Sequence, residues 1–215
     1  MSPPGPVLHY IFDPLCGWCY AAAPLVAVAR ELLPVKLHGG GMMAGALRRP
    51  VSPQFRSFVL RHDRQIAQVS GQPFGEAYSN VLLNDTSVVL DSGPPITAIL
   101  AAESIGGRGL DLLTRLQRAH YVEGRRISRP EVLAELALDL GIDEAAFAQA
   151  WRAMDGQATL RHIEQSRDLL SALGGSGFPT LALERKGERV LLDASAHLGQ
   201  PGRWRDWLAT AIGPA

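Results

Sequence analysis

The sequence predicts an α/β fold interrupted by an all-helical block, and three observations carry that reading. A β-branched and aromatic run, VLHYIF at residues 7–12, leads into a helical pattern over 16–33 and a second short apolar run at 35–38. From about residue 50 to residue 174 no convincing period-two pattern occurs, only windows of helical spacing. Beyond them, two strand-like runs flank Lys186-Gly187 and a last helical pattern closes the chain.

Taken in order, residues 7–12 follow a Pro- and Gly-rich leader and read as a buried strand. Asp13 and Pro14 are start signals for the helix at 16–33, and Pro34 is its stop. The run 35–38, closed by Gly39-Gly40-Gly41, completes β-α-β, so the two strands should be parallel with a right-handed crossover. The windows 55–69, 95–105, 110–122, 130–140 and 143–153 fit amphipathic helices. Pro94-Pro95 opens one of them, Ser128 with Glu131 resembles a capping box, and Gly141 followed by Asp143 separates the last two. A long helix over 158–173 precedes the loop 174–179, and strands at 180–184 and 190–192 should pair antiparallel through the Lys186-Gly187 turn. The final helix, 203–212, carries Trp204 and Trp207.

Composition narrows the function classes. The 215 residues are 47% hydrophobic, enough for a sizeable core. Lysine plus arginine equal aspartate plus glutamate at 21 each, so no overall field draws the chain to nucleic acid or an anionic membrane. Arg48-Arg49 and Arg125-Arg126 read as solvated surface. No apolar run approaches the roughly 18 residues of a membrane span, and Met1 is followed by Ser-Pro-Pro-Gly-Pro, not by a basic and apolar leader, so a cytoplasmic protein is expected.

The only two cysteines, Cys16 and Cys19, stand in FDPLCGWCY at the start of the first helix. In a reducing cytosol such a pair is catalytic, redox-sensing or metal-binding, not structural. Structural zinc needs four protein ligands. His9, His38, His62, His120, His162 and His197 lie on different elements, none three or four positions from another, so each reads as packing or surface and no metal is expected. Gly39-Gly40-Gly41-Met42-Met43 lacks the Gly-Lys-Ser/Thr of a phosphate loop, and Met42 and Met43 read as apolar lining between two domains.

The order of elements, with FDPLCGWCY, AHYVEGRRIS at 119–128 and GFPT at 177–180, resembles the DsbA family: a thioredoxin-like fold with a helical insertion. Within it the chain is similar to the cytosolic branch that includes FrnE-like proteins and 2-hydroxychromene-2-carboxylate isomerases. The implied division is a thioredoxin-like domain of residues 1–45 and 158–215 around a helical insertion domain of 46–157.

The resemblance implies a thiol–disulfide oxidoreductase that acts on disulfide-containing proteins or small-molecule thiols, as a monomer or homodimer. Placing Cys16 at a helix N-terminus offers a thiolate unpaired backbone N–H groups and the positive end of the helix dipole, so Cys16 is the expected nucleophile. Cys19, one turn on, is the expected resolving and more buried thiol. The resemblance also implies a cis Phe178–Pro179 bond facing the cysteines, with Trp18, Phe178, Pro179 and Thr180 forming the substrate site. Asp13 and Gly17 are the candidates for tuning thiol reactivity: a carboxylate beside Cys16 disfavours the thiolate, unless Asp13 serves only to cap the helix, and Gly17 loosens its first turn.

No resident cofactor is expected, with glutathione a candidate co-substrate. Two alternatives stand beside this reading. One is a glutathione-dependent isomerase or transferase of the kappa-class type, against which the full dithiol counts. The other is a non-catalytic redox switch or peptide-binding module.

Overall fold

The protein, described here by a computed structural model, is placed over residues 5–213. Residues 1–4 of the Pro-rich leader and residues 214–215 lie outside the described residues. Strand β1 (Val7–Phe12) is followed by α1 (Gly17–Leu32), β2 (Val35–Gly39), a two-residue β3 (Arg49–Pro50) and α2 (Pro53–Ser70). Then come a two-residue β4 (Val89–Leu90) and helices α3 (Gly93–Ser104), α4 (Gly109–Tyr121), α5 (Pro130–Leu138), α6 (Glu144–Met154) and α7 (Gln157–Ala172). Strands β5 (Thr180–Arg185) and β6 (Glu188–Leu192) and helix α8 (Pro201–Ile212) end the chain.

The main sheet runs β2-β1-β5-β6. β1 pairs parallel with β2, as β-α-β requires, and antiparallel with β5, while β5 and β6 form the expected hairpin. Its two-residue turn places Lys186 at φ 50° and Gly187 at φ 85°, the left-handed pair that twists with the strands. Helix α7 packs on β2 and α1 packs on α8. Trp204 of α8 is fully buried and its indole N–H donates to the Leu25 carbonyl of α1, whereas Trp207 stands 39% exposed.

Several local readings are corrected. β3 and β4 pair antiparallel inside the helical block, each too short to leave an alternating pattern. Residues 77–84 form a wide π-type turn running into a 3₁₀ turn, outside the helical windows. Ser128 and Glu131 make no capping box: α5 starts after Arg129 without a side-chain cap, the Ser128 hydroxyl donates to the Val89 carbonyl, and Glu131 meets Arg129. Ser52 and Asp143 do cap α2 and α6, accepting from the backbone N–H of Phe55 and Ala146.

Pro24 lies inside α1 and cannot donate to Tyr20 four residues back. The Gln72 amide supplies the missing donor, 2.9 Å from the Tyr20 carbonyl, and the Tyr20 hydroxyl donates to the Pro73 carbonyl at 3.0 Å. The loop after α2 is thereby tied to the helix that carries the cysteines.

The histidines are less scattered than their positions suggest. His9 and His38 sit on adjacent parallel strands with ring nitrogens 3.0 Å apart, and His162 of α7 accepts from the Gly39 N–H. Burial pulls His38 down to about 4, with the nearby His9 adding to the effect. Among the described residues no group of three or more His, Cys, Asp or Glu side chains is arranged to hold a metal ion. Nor is any helix among them long and apolar enough to cross a membrane.

Candidate active site

β1, an inner strand, ends at one end of the sheet, and the turn after it bends into α1. Cys16 is the residue that opens the helix: its backbone is extended, and its carbonyl accepts the first helical bond, from the Tyr20 N–H at 3.1 Å. Its side chain therefore stands where the unpaired N–H groups of the first turn converge. The Cys16 thiol donates to the Phe178 carbonyl at 3.4 Å, a contact between residues 162 apart in sequence. Cys16 is 6% exposed and Cys19 is 0% exposed, and both are free thiols. Burial pushes the Cys19 thiol well above the ordinary cysteine value, with the hydrogen bond and charge of the neighbouring Cys16 adding to it.

Asp13 does not cap α1. It is fully buried; one carboxylate oxygen accepts from the Leu15 N–H at 2.9 Å and the Ser92 hydroxyl at 2.9 Å, and the other accepts from the Met42 N–H at 2.5 Å. Its own N–H points at the Cys19 sulfur at 3.5 Å. Burial raises this carboxyl to about 6 against the pull of those hydrogen bonds. One side chain thus fixes the redox turn, the loop after β2 and the start of α3. Met42 and Met43, expected as apolar lining, pack half-buried against the core, and their backbone adds to it: the Met43 N–H donates to the Ser92 hydroxyl, and the Met43 carbonyl accepts the Ser92 N–H.

Gly17 has a steric reason. A Cβ there would lie 2.8 Å from Ile66 Cδ1 and 3.5 Å from the Asp63 carboxylate of α2, so the insertion packs directly on the first turn of α1. Asp63 is itself buried, accepts from the Tyr78 hydroxyl at 3.0 Å, and is raised by burial to about 6. Behind the turn, Tyr121 from the AHYVEGRRIS stretch stacks on Tyr20 at 4.8 Å between ring centres, and Phe74 meets both edge-on. Tyr10 donates to the Cys19 carbonyl at 3.2 Å.

The opposite wall comes from the Phe178–Pro179 turn, whose peptide bond is cis. The Phe178 ring rests on Gly40, where a Cβ would lie 2.2 Å from ring carbons. That glycine loop is gripped in turn by Arg167 of α7, whose guanidinium donates to the Gly40 carbonyl at 2.8 Å and the Gly41 carbonyl at 2.6 Å. Thr180 opens β5 with its hydroxyl on the Gly177 carbonyl at 2.7 Å. Trp18, Phe178, Pro179 and Thr180 line one cavity of about 670 Å³, which Leu191 and Leu192 close on the β6 side.

Of the candidate site residues, Asp13, Cys16, Gly17, Trp18 and Cys19 lie on or just before the first turn of α1, Phe178 meets Cys16 there, and Pro179 and Thr180 line the adjoining cavity. Sequence reasoning missed Tyr10, Asp63, Ser92 and Arg167. Of these, only Ser92, next to Gly93-Pro94-Pro95, sits near a local signal, and it acts as a strut, not a cap.

No protein-family model and no curated protein matches the chain. Among solved structures, the cytosolic disulfide reductase DsbM from Pseudomonas aeruginosa is 51% identical, with a TM-score of 0.90 over 96% of this chain and 98% of that one. A structure of the same reductase with GSH matches at a TM-score of 0.89 with the same coverage. A protein from Nitrosomonas europaea, named provisionally as a protein disulfide isomerase, is 26% identical at a TM-score of 0.79, covering 98% of this chain and 100% of that one. DsbA from Pseudomonas aeruginosa, at 18% identity and a TM-score of 0.51 over 98% and 88% of the two chains, shares the fold alone. With the dithiol, the proline turn and a relative at this identity over nearly the whole chain, the protein belongs to the DsbA family of thiol–disulfide oxidoreductases, with a thioredoxin-like fold and a helical insertion.

Proposed function

We propose that the protein is a cytoplasmic disulfide reductase in which Cys16 attacks, Cys19 resolves and glutathione restores the dithiol. The observation that carries the reading is the asymmetry of the pair: Cys16 at the helix start on the Phe178 carbonyl, Cys19 fully enclosed behind it. The Cys16 thiolate attacks one sulfur of the substrate disulfide; that bond breaks, the other substrate sulfur leaves as a thiol, and a mixed disulfide remains on Cys16. Cys19, its proton lost to solvent, then attacks the Cys16 sulfur, releasing the second substrate thiol and leaving a Cys16–Cys19 disulfide. Two glutathione molecules reduce that disulfide and depart as glutathione disulfide. Trp18, Phe178, Pro179 and Thr180 bind the substrate, and Asp13 and Gly17 set the geometry of the turn, with no resident cofactor or metal required.

The reductive direction and the cytoplasmic setting draw support from the cytosolic reductase that is 51% identical, and glutathione from the structure of that relative with GSH. The balanced charge of the chain supports a role without nucleic acid or membrane surfaces. The test is Cys19→Ser incubated with glutathione disulfide and analysed by mass. A single glutathione adduct on Cys16 that persists, against none in the parent protein, is expected. An unmodified Cys16, or full disulfide turnover by Cys19→Ser, would overturn the dithiol mechanism in favour of a one-thiol isomerase.

A further inference from the structure

The cavity at the redox turn does not end at β6. A second groove of about 580 Å³ shares Leu191, Leu192 and Asp193 with it and runs along the strand to Trp207 and Ala211 of α8. β6 is the edge of the sheet, paired only with β5 among the described residues, so its outer row of backbone groups is open. Apolar side chains cluster beside that edge: Val190 is 62% exposed, Leu191 44% and Trp207 39%. Single exposed apolar residues are ordinary, but a contiguous set rimming a groove marks a contact surface. Asp193 is the one charged side chain lining the cavity at the redox end, and Arg185, Lys186 and Glu188 join it along the second groove. The apolar part of that groove, Leu183, Val190, Leu191, Leu192 and Trp207, suits an apolar side chain, and an open edge strand recruits a stretch of chain in extended form.

We propose that β6 and Trp207 form a docking strip for an extended segment of the disulfide-bearing polypeptide substrate, which adds to the open edge of β6 and lays an apolar side chain against Val190 and Trp207. The inference rests on the exchange reading above: the groove is continuous with the wall that faces Cys16, so the occupant is the chain that carries the disulfide. The five residues Glu188–Leu192 span about 13 Å in extended form, which sets the reach. The preferred substrate has an apolar residue at least about four positions from its reactive cysteine, and a small disulfide gains nothing from the strip.

The experiment compares two disulfides: bis(2-hydroxyethyl) disulfide, and a mixed disulfide of a twelve-residue peptide with leucine placed stepwise from two to seven positions beyond its cysteine. For the parent protein, KM for the peptide is expected to fall about tenfold when leucine reaches the fourth position or beyond. Val190→Glu and Trp207→Ala should each abolish that gain, while the small disulfide is still reduced. In a Cys16→Ser, Cys19→Ser background, peptide affinity should show the same leucine dependence and the same loss on Val190→Glu, a readout independent of turnover.

A KM indifferent to leucine position, or unchanged by Val190→Glu, overturns the strip. So does a Val190→Glu protein that sediments as monomer where the parent is a dimer while peptide affinity is unchanged, because the edge would then serve a second copy of the chain. If the parent reduces neither disulfide yet its double cysteine variant still shows the leucine-dependent affinity, the exchange reading fails and the strip stands.

Discussion

Cys16 rests on the carbonyl of Phe178, a residue that lines a cavity with Trp18 and Pro179, whereas Cys19, three residues on, is sealed behind Asp13 and Tyr10. The two walls are made differently. The outer one is apolar and touches Cys16 through a single backbone carbonyl. The inner one holds the buried carboxyls of Asp13 and Asp63, both lifted to about 6 by burial. A spacing of three residues on a helix thus sets one thiol on the Phe178 carbonyl and encloses the other, the asymmetry on which the proposed division into attack and resolution rests.

The largest effect expected from breaking this asymmetry lies at the thiols. Cys16→Ser should lose disulfide exchange by on the order of 10³-fold or more, as loss of a nucleophile does. Cys19→Ser should instead stop after the first step, so that a burst of one released thiol per protein is seen in stopped-flow assay. Equal residual activity in the two variants would erase the distinction between the walls.

Next comes the pH dependence of the inner wall. Asp13 titrates at about 6 when folded against 3.8 in its ordinary state, so the native protein holds this proton to higher pH than the unfolded chain. Stability from this group is therefore fully present below about pH 4 and lost as pH rises through 6. Two pKa units at 1.36 kcal/mol each make the loss about 3 kcal/mol. Relative to the parent, Asp13→Asn should gain up to about 3 kcal/mol between pH 4 and pH 7 in urea unfolding, whatever constant cost its altered hydrogen bonds add. A difference between the two proteins that does not change with pH would mean that Asp13 is not the titrating group.

Steric tests follow. Gly40→Ala brings a Cβ to 2.2 Å from the Phe178 ring and should cost about 2–3 kcal/mol and raise substrate KM, because the outer wall must shift. Gly17→Ala comes closest to the flexible end of Ile66, at 2.8 Å, with the Asp63 carboxylate at 3.5 Å, and should cost about 1 kcal/mol in thermal unfolding. A larger cost at Gly17 than at Gly40 would reverse the order of rigidity of the two walls. The smallest effect belongs to Ser128→Ala, expected within about 0.5 kcal/mol by urea unfolding, since no cap is lost there.

The sequence was most legible where a feature is local. VLHYIF, the paired cysteines, the Lys186-Gly187 turn and the Asp143 cap each act within a few residues, and each stands where its pattern indicates. The site's partners from afar were not legible. Arg167 reaches Gly40 across 127 positions, and the glycines at 17 and 40 look like flexibility in the chain but are gaps for Ile66 and Phe178. Pro24 reads as a helix breaker, and only the fold supplies the Gln72 amide that makes it tolerable. Ser128 with Glu131 shows the opposite case, a correct local pattern overridden when the serine is drawn to β4.

The central claim, that Cys16 and Cys19 work as one exchanging pair, is tested most directly by equilibrating the protein in a series of glutathione redox buffers and measuring the intramolecular disulfide by mass after alkylation of free thiols. A single two-electron transition with a midpoint near that of thioredoxin, about −270 mV, is the expected result for a reductase. A Cys16–Cys19 disulfide that never forms, with both cysteines alkylated even in the most oxidising buffer, would contradict it.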